Sequence, residues 1–202
     1  MTVGASRSTI VYLHGFRSSP ASRKAQALAA AVAALAPATQ PVLHVPALTD
    51  RPAAAVALVE DLVRDVDPTA LAFVGSSLGG FYATYLAERL GTRAVLVNPA
   101  VRPYEDLRPY VGVQENLYTG AKFVVTESHF DELRALAIPR IAHPERFLLL
   151  AQTGDEVLDY REAVRFYAGA WQWLQGGGDH AFAGFEAVLP ALLRFCGVVH
   201  RT

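Results

Sequence analysis

Cysteine is almost missing from this sequence of 202 residues: Cys196 stands alone, so no disulfide can form within the chain and a reducing compartment suits it. An excess of one charge is missing too. Eighteen Lys and Arg face 19 Asp and Glu, a net charge of −1 with no long run of either sign, which leaves no electrostatic drive toward nucleic acid or an anionic membrane. No apolar run approaches the ~20 residues of a membrane span; the longest, Ala27 to Ala36, has ten. The opening MTVGASRSTI holds no apolar core for a signal peptidase to read, so a soluble, cytoplasmic location is expected. There is no Walker sequence, no dinucleotide glycine fingerprint and no Cys/His cluster at metal spacing. NTPase, Rossmann oxidoreductase and zinc-site readings therefore fall away, and neither a cofactor nor a metal is expected.

What is present is apolar. Hydrophobic residues make up 52% and charged residues 18% of a chain about one domain long, which argues against disorder and for one core shared by every element. Thr9 to Leu13 (TIVYL) reads as a buried strand stopped by His14-Gly15. Ser19-Pro20 then offers an N-cap and a first-turn proline for an Ala-rich helix, Ala21 to Ala36, halted by Pro37. Further strands are expected at Val42 to Val45, Ala70 to Gly75, Ala94 to Val97, Arg146 to Ala151 and Ala170 to Leu174. Helices are expected at Pro52 to Val66, Leu78 to Leu90, Asp159 to Tyr167 and Ala183 to Cys196, the last kinked at Pro190. Apolar strands without alternation, separated by helix-length segments, require a parallel sheet covered on both faces, so the fold class is α/β, mostly parallel, doubly wound, with about six strands. Asn98 to Pro144 is the exception. Rich in Pro, Tyr, Gly and charge, with one clear helix (Ser128 to Leu136), it is too long for an ordinary connection and reads as a lid-like insertion or an irregular surface excursion.

Gly75-Ser76-Ser77-Leu78-Gly79 is G-x-S-x-G between an expected strand and an expected helix, the context in which that pattern makes a nucleophile elbow. Side chains flanking so sharp a turn would collide with neighbouring backbone, hence the glycines. Ser77 is left at the positive end of the next helix, with the Leu78 N–H aimed at any oxyanion formed there. The alternative is a turn whose serines merely cap the helix. A serine hydroxyl needs a base, and Gly176-Gly177-Gly178-Asp179-His180 follows the last strand with glycines that free the backbone to bring His180 over the sheet edge. His14 reads as shaping its loop, while His44, His129, His143 and His200 read as surface or satisfied polar residues. The base needs an anion, and Asp155 in Thr153-Gly154-Asp155-Glu156-Val157 lies just past a strand; Asp159 and Asp179 are rivals. The order Ser77, Asp155, His180 is that of α/β-hydrolases. Phe16, in the loop after the first strand, is the expected second oxyanion donor through its backbone N–H. Ser18, Ser19, Arg23 and Lys24 read as a solvated helix start or as an anion pocket. Cys196 and the pair Trp171 and Trp173 read as packing.

Through nearly the whole chain, in one order, run YLHGFRSSPASRKA, FVGSSLGGFYATYLA, LVNPAVRPYEDL with QENLYTG, TGDEVLDY and GGDHAFAGFE. On these pieces the sequence resembles the YqiA-like esterases of the α/β-hydrolase superfamily. The resemblance implies a compact hydrolase fold, a cytoplasmic esterase acting on short acyl esters without a cofactor, and catalytic roles for Ser77, Asp155 and His180. No strand precedes TIVYL, where larger hydrolases of the superfamily often start with an antiparallel hairpin.

The expected function is hydrolysis of a small-molecule acyl ester through an acyl-enzyme on Ser77. The same triad could cleave thioesters or transfer the acyl group to an acceptor other than water, and in another class the chain could be a non-catalytic binding or scaffold protein with a relic triad. Oligomeric state has no signature here. The segment Asn98 to Pro144 begins at the carboxyl end of a strand, where ligands bind in open α/β sheets, so Tyr104, Tyr110, Leu117 and Tyr118 are expected to line the mouth and set selectivity for short acyl chains.

Overall fold

The protein is described from a computed structural model over residues 7–198; residues 1–6 of the opening and His200, both read above, lie outside it. In chain order the elements are β1 (Thr9–Leu13), α1 (Arg23–Ala33), β2 (Val42–His44), α2 (Pro52–Leu62), β3 (Leu71–Ser76), α3 (Leu78–Leu90), β4 (Arg93–Val97) and α4 (Pro103–Asp106). They continue with β5 (Gly112–Glu115), β6 (Lys122–Val125), α5 (Glu127–Ala135), β7 (Phe147–Gln152), α6 (Tyr160–Phe166), β8 (Trp171–Gln175) and α7 (Phe185–Phe195). Six of the strands form one sheet in the order β2-β1-β3-β4-β7-β8, every neighbouring pair parallel. No helix among the described residues is long and apolar enough to cross a membrane.

The lack of alternation in the strand sequences has a direct cause. Every residue of β1, β3 and β7 is buried, because both faces of the sheet are covered. Val11, Phe73, Leu96 and Leu149 face a core closed by α2, α3, α5 and α6. Ile10, Tyr12, Val74, Val95 and Leu150 face the other, closed by α1 and α7. Burying each such side chain contributes ~1.5–3 kcal/mol, which is what drives the sandwich together. From β1 the chain moves outward to β2 and then returns to the other side of β1 as β3. The carboxyl ends of β1 and β3 thus flank a topological switch point, where a crevice opens in folds of this kind.

Three expectations are corrected. The first helix starts at Arg23 rather than Ala21: the Ser22 amide donates to the Ser19 carbonyl and the Ala21 amide to Ser19 Oγ, so Ser19-Pro20 forms a turn before the helix, and Ser22 occupies the N-cap. Trp171 and Trp173 are not packed, being 66% and 44% exposed. They share a face as expected, but β8 is an edge strand and all five of its residues are exposed. The segment Asn98 to Pro144 holds, besides α4 and α5, an antiparallel hairpin of β5 and β6 with Gln114 opposite Phe123 and Val113 opposite Val124. Each strand has four residues, too short for a period-2 signal. Phe123 packs on the core, while Val113 and Val124 face outward. α7 runs through Pro190 without a break, and Cys196 is buried at its end.

Candidate active site

Ser77 sits between β3 and α3 with φ 54° and ψ −122°, a conformation an L-residue holds only under constraint from its surroundings. The constraints are visible. Its amide donates to the Val97 carbonyl (3.1 Å), and its own carbonyl accepts from Gly80 (2.9 Å) and Ala100 (3.1 Å). A Cβ on Gly75 would overlap the Gly79 carbonyl, and one on Gly79 would overlap the Leu13 carbonyl of β1, so both glycines are required by close approach of backbone. Ser76, the neighbouring serine, ends β3 and is buried.

The loops after β7 and β8 bring two more polar groups to this elbow. His180 Nε2 lies 3.0 Å from Ser77 Oγ, and its Nδ1 lies 2.8 and 3.0 Å from the two oxygens of Asp155. The Asp155 side chain is 2% exposed. Burial pushes its carboxyl up, but hydrogen bonds from His180 and from the Leu158 and Val157 amides outweigh that and hold it below the usual carboxylate range. The rivals are placed elsewhere. Asp159 caps α6 through the Arg161 amide (3.0 Å), and Asp179 makes no bond to the His180 ring: its backbone ties the loop, and its Oδ1 is buried without a hydrogen-bond partner among the described residues.

Residues not singled out from the sequence hold the histidine loop. Gln152, at the end of β7 and fully buried, accepts from the Asp179 and Ala183 amides (3.0 and 2.9 Å) and donates to the Ala183 carbonyl (2.7 Å) and Gln175 Oε1 (3.0 Å). A Cβ on Gly178 would overlap that amide group, so the glycine here is needed for room as well as for its φ of 77°. Asn98, at the end of β4 with φ 41°, accepts from Gln152 N (2.9 Å) and donates to the Asp179 and His180 carbonyls (2.9 and 3.3 Å). Polar residues at the carboxyl ends of adjacent strands were the available signal for Gln152 and Asn98. Lys24 of α1, read from the sequence as part of a solvated helix start or an anion pocket, ties the same loop: its Nζ donates to the Ala181 carbonyl (2.9 Å), and burial pushes the amine down to about 8, partly offset by Asp179 and Asp155.

The loop after β1 lies against the elbow: a Cβ on Gly15 would stand 3.2 Å from Ser77 Cβ. His14 shapes this loop. Its Nδ1 donates to the Gly15 carbonyl (3.0 Å) and its Nε2 accepts from Leu48 N (3.1 Å), a pattern that requires neutral imidazole, and burial lowers its pKa accordingly. The amides of Phe16 and Leu78 donate to no acceptor among the described residues. His129, expected as surface or satisfied, is buried and closes a capping box with Thr126 at the start of α5.

Two clefts meet at Ser77 and His180. One, of about 450 Å³, has an apolar wall of Phe16, Ala100, Pro103, Leu107, Tyr110 and Leu117, with Arg17, Asp106 and Glu156 also in its lining. The other, of about 490 Å³, is equally mixed, with Tyr12, Tyr118, Phe182 and Phe185 beside Ser18, Arg23, Lys24 and Glu186. Tyr110, Leu117 and Tyr118 therefore stand where the sequence placed them. Tyr104 does not: on the single turn of α4, Pro103, Asp106 and Leu107 face the cleft at i, i+3 and i+4, and Tyr104 is turned against the core. No group of His, Cys, Asp and Glu among the described residues could hold a metal ion.

Comparison with solved structures gives the same architecture. A protein of Agrobacterium vitis S4 superposes with a TM-score of 0.74 at 18% identity, over 94% of this chain and 88% of that one. Est1E of Butyrivibrio proteoclasticus superposes at 0.67 with 16% identity over 95% and 89%, and a monoacylglycerol lipase of Paleococcus ferrophilus at 0.64 with 13% identity over 94% and 96%. The chain has the compact α/β-hydrolase fold. By sequence it is 28% identical over 104 residues to dipeptidyl aminopeptidase B of Saccharomyces cerevisiae, a stretch that is 50% of this chain but spans only 12% of the yeast protein. The model of the uncharacterised protein family UPF0227, the YqiA-like family, matches residues 9–197, and the chain belongs to that family.

Proposed function

We propose that this chain is a serine hydrolase that cleaves short-chain carboxylic esters through an acyl-enzyme on Ser77. The observation that carries the reading is the continuous chain of hydrogen bonds from Ser77 Oγ through His180 to the buried Asp155 carboxylate. Asp155 accepts a hydrogen bond from Nδ1–H, which fixes the tautomer and leaves the Nε2 lone pair facing the serine. Ser77 Oγ attacks the ester carbonyl as His180 Nε2 takes its proton, and the new oxyanion receives hydrogen bonds from the Phe16 and Leu78 amides, which have no other acceptor among the described residues. Collapse of the tetrahedral intermediate breaks the bond to the alcohol, which leaves with the proton from His180. Water, deprotonated by the same imidazole, then attacks the acyl carbonyl and releases the acid, regenerating Ser77. The cleft walled by Leu107, Tyr110 and Leu117 receives the acyl chain, and the one that holds Arg23 and Lys24 the alcohol.

Support for a short acyl group comes from the modest size of the acyl cleft, about 450 Å³, whose lining includes the Phe16 and Tyr110 rings, edge-on at a centroid distance of 5.4 Å. The esterase and lipase names of the neighbouring structures support the reaction class. Hydrolysis of p-nitrophenyl esters of graded chain length, with fluorophosphonate labelling alongside, tests the reading. Ser77→Ala is expected to abolish both, a loss on the order of 10⁶ in kcat, while Ser76→Ala keeps most activity. The opposite ranking, or a wild-type protein that does neither, sinks it.

A further inference from the structure

We propose that Asn116 is a positioning residue: it latches the β5–β6 hairpin onto the loop that carries the Phe16 amide, so that the seating of the hairpin sets the oxyanion hole. The inference rests on the serine-hydrolase reading above. Asn116 follows β5 and uses both ends of its side-chain amide. Oδ1 accepts from the Tyr118 and Thr119 amides (2.9 and 3.1 Å), which folds the hairpin tip. Nδ2 donates to the Ser18 carbonyl (2.7 Å) across 98 positions of sequence. The tip needs only the oxygen. An aspartate would make the same turn; the nitrogen is what reaches the other loop.

Two further bonds join the same partners. Leu117 N donates to the Arg17 carbonyl (2.9 Å), and Arg17 Nε donates to the Glu115 carbonyl (2.9 Å). Arg17 is held at φ 56°, in the left-handed region that is strained for a non-glycine residue and persists only when neighbours over-determine it. The neighbours that do so belong to the hairpin. Arg17 is next to Phe16, and Phe16 is next to Gly15, which touches Ser77. The Phe16 ring is seated between Tyr110 and Phe123 of the same excursion, so the loop takes its backbone tie and its side-chain seat from one segment. With the latch released, Arg17 relaxes toward negative φ and the adjacent amide loses its aim at the oxyanion.

The experiment compares the whole chain with Asn116→Asp, Asn116→Ala and Val113→Ala. The last is a control: Val113 lies on the same hairpin, faces outward and lines neither cleft. On p-nitrophenyl butyrate, both Asn116 variants are expected to lower kcat about 10- to 100-fold with KM within about threefold, since a misaimed donor costs up to what a deleted one does. The limiting rate of fluorophosphonate labelling should fall by the same factor. Val113→Ala should leave both near the wild-type values. If Asn116→Ala does not fold, Asn116→Asp decides, because it keeps the acceptor of the turn and loses only the donor to Ser18. An Asn116→Asp enzyme with wild-type kcat, or a loss carried by KM alone, overturns the latch while leaving the hydrolase reading intact. Wild-type protein without turnover or labelling removes the hydrolase reading, and the latch's catalytic consequence with it.

Discussion

Replacing Gln152 by Met is the sharpest test of how the histidine is held. Methionine matches the length and volume of glutamine but carries neither carbonyl nor amide, so the site stays filled and four hydrogen bonds vanish. Three main-chain groups lose their partner: the amides of Asp179 and Ala183 and the carbonyl of Ala183. An unpaired buried group costs roughly 1–3 kcal/mol, so an unrelaxed structure would lose up to about 9 kcal/mol. The loop does relax, since Gly176, Gly177 and Gly178 are exposed and water can reach part of it. About 2–4 kcal/mol should remain as loss of stability. The displaced groups flank His180 on both sides, and a shift of about 1 Å at a reacting group costs on the order of 10² in rate. Urea unfolding and p-nitrophenyl butyrate kinetics measure the two consequences separately. A stability loss below about 1 kcal/mol together with kcat within about threefold of wild type would refute the reasoning, because it would mean that the loop does not depend on Gln152.

Other substitutions separate neighbours that the sequence leaves in competition. Asp155→Asn should keep the fold and lower kcat by roughly 10⁴, because an amide beside His180 favours the wrong tautomer. Asp159→Asn should change kcat little, since asparagine also caps α6; the reverse ranking, measured on folded protein, would move the acid to Asp159. Tyr110→Ala should shift the ratio of kcat/KM for octanoate over butyrate esters upward by enlarging the acyl cleft, while Tyr104→Ala, which lies outside it, should lower stability and leave the ratio alone. Equal ratios for the two variants would show that the cleft does not select the acyl chain.

The hairpin makes the excursion after β4 more than a cover. Its tip carries Leu117, which lines both clefts, while its base is anchored by Val125 in the core, with Phe123 packed against that core. A long connection on a small α/β sheet is thereby fastened at both ends, at the core and at the loop beside Ser77.

Local pattern was enough for much of this architecture. Non-alternating apolar strands separated by helix-length segments announce a sheet covered on both faces. Glycines around Ser77 mark places where backbone must pass close to backbone, and Gly178 before His180 one where positive φ and a buried side chain leave no room for a Cβ. Such signals lie within a few residues of the feature they describe, so they are legible without any partner. The same holds for the placement of Ser77, Asp155 and His180 just past three expected strands, since parallel strands deliver their carboxyl ends to one edge. What tertiary structure alone decided depends on which distant group arrives opposite a side chain. Gln152, Asn98 and Asn116 are unremarked polar residues in the sequence, and their long-range partners lie 23 to 98 positions away in chain order, chosen by strand order and loop docking. Tyr104 and Tyr110 differ in use because one turn of α4 rotates one of them out of the cleft. Trp171 and Trp173 stay exposed because β8 takes the edge of the sheet. An edge is a property of the assembled strand order, which no single strand carries in its residues.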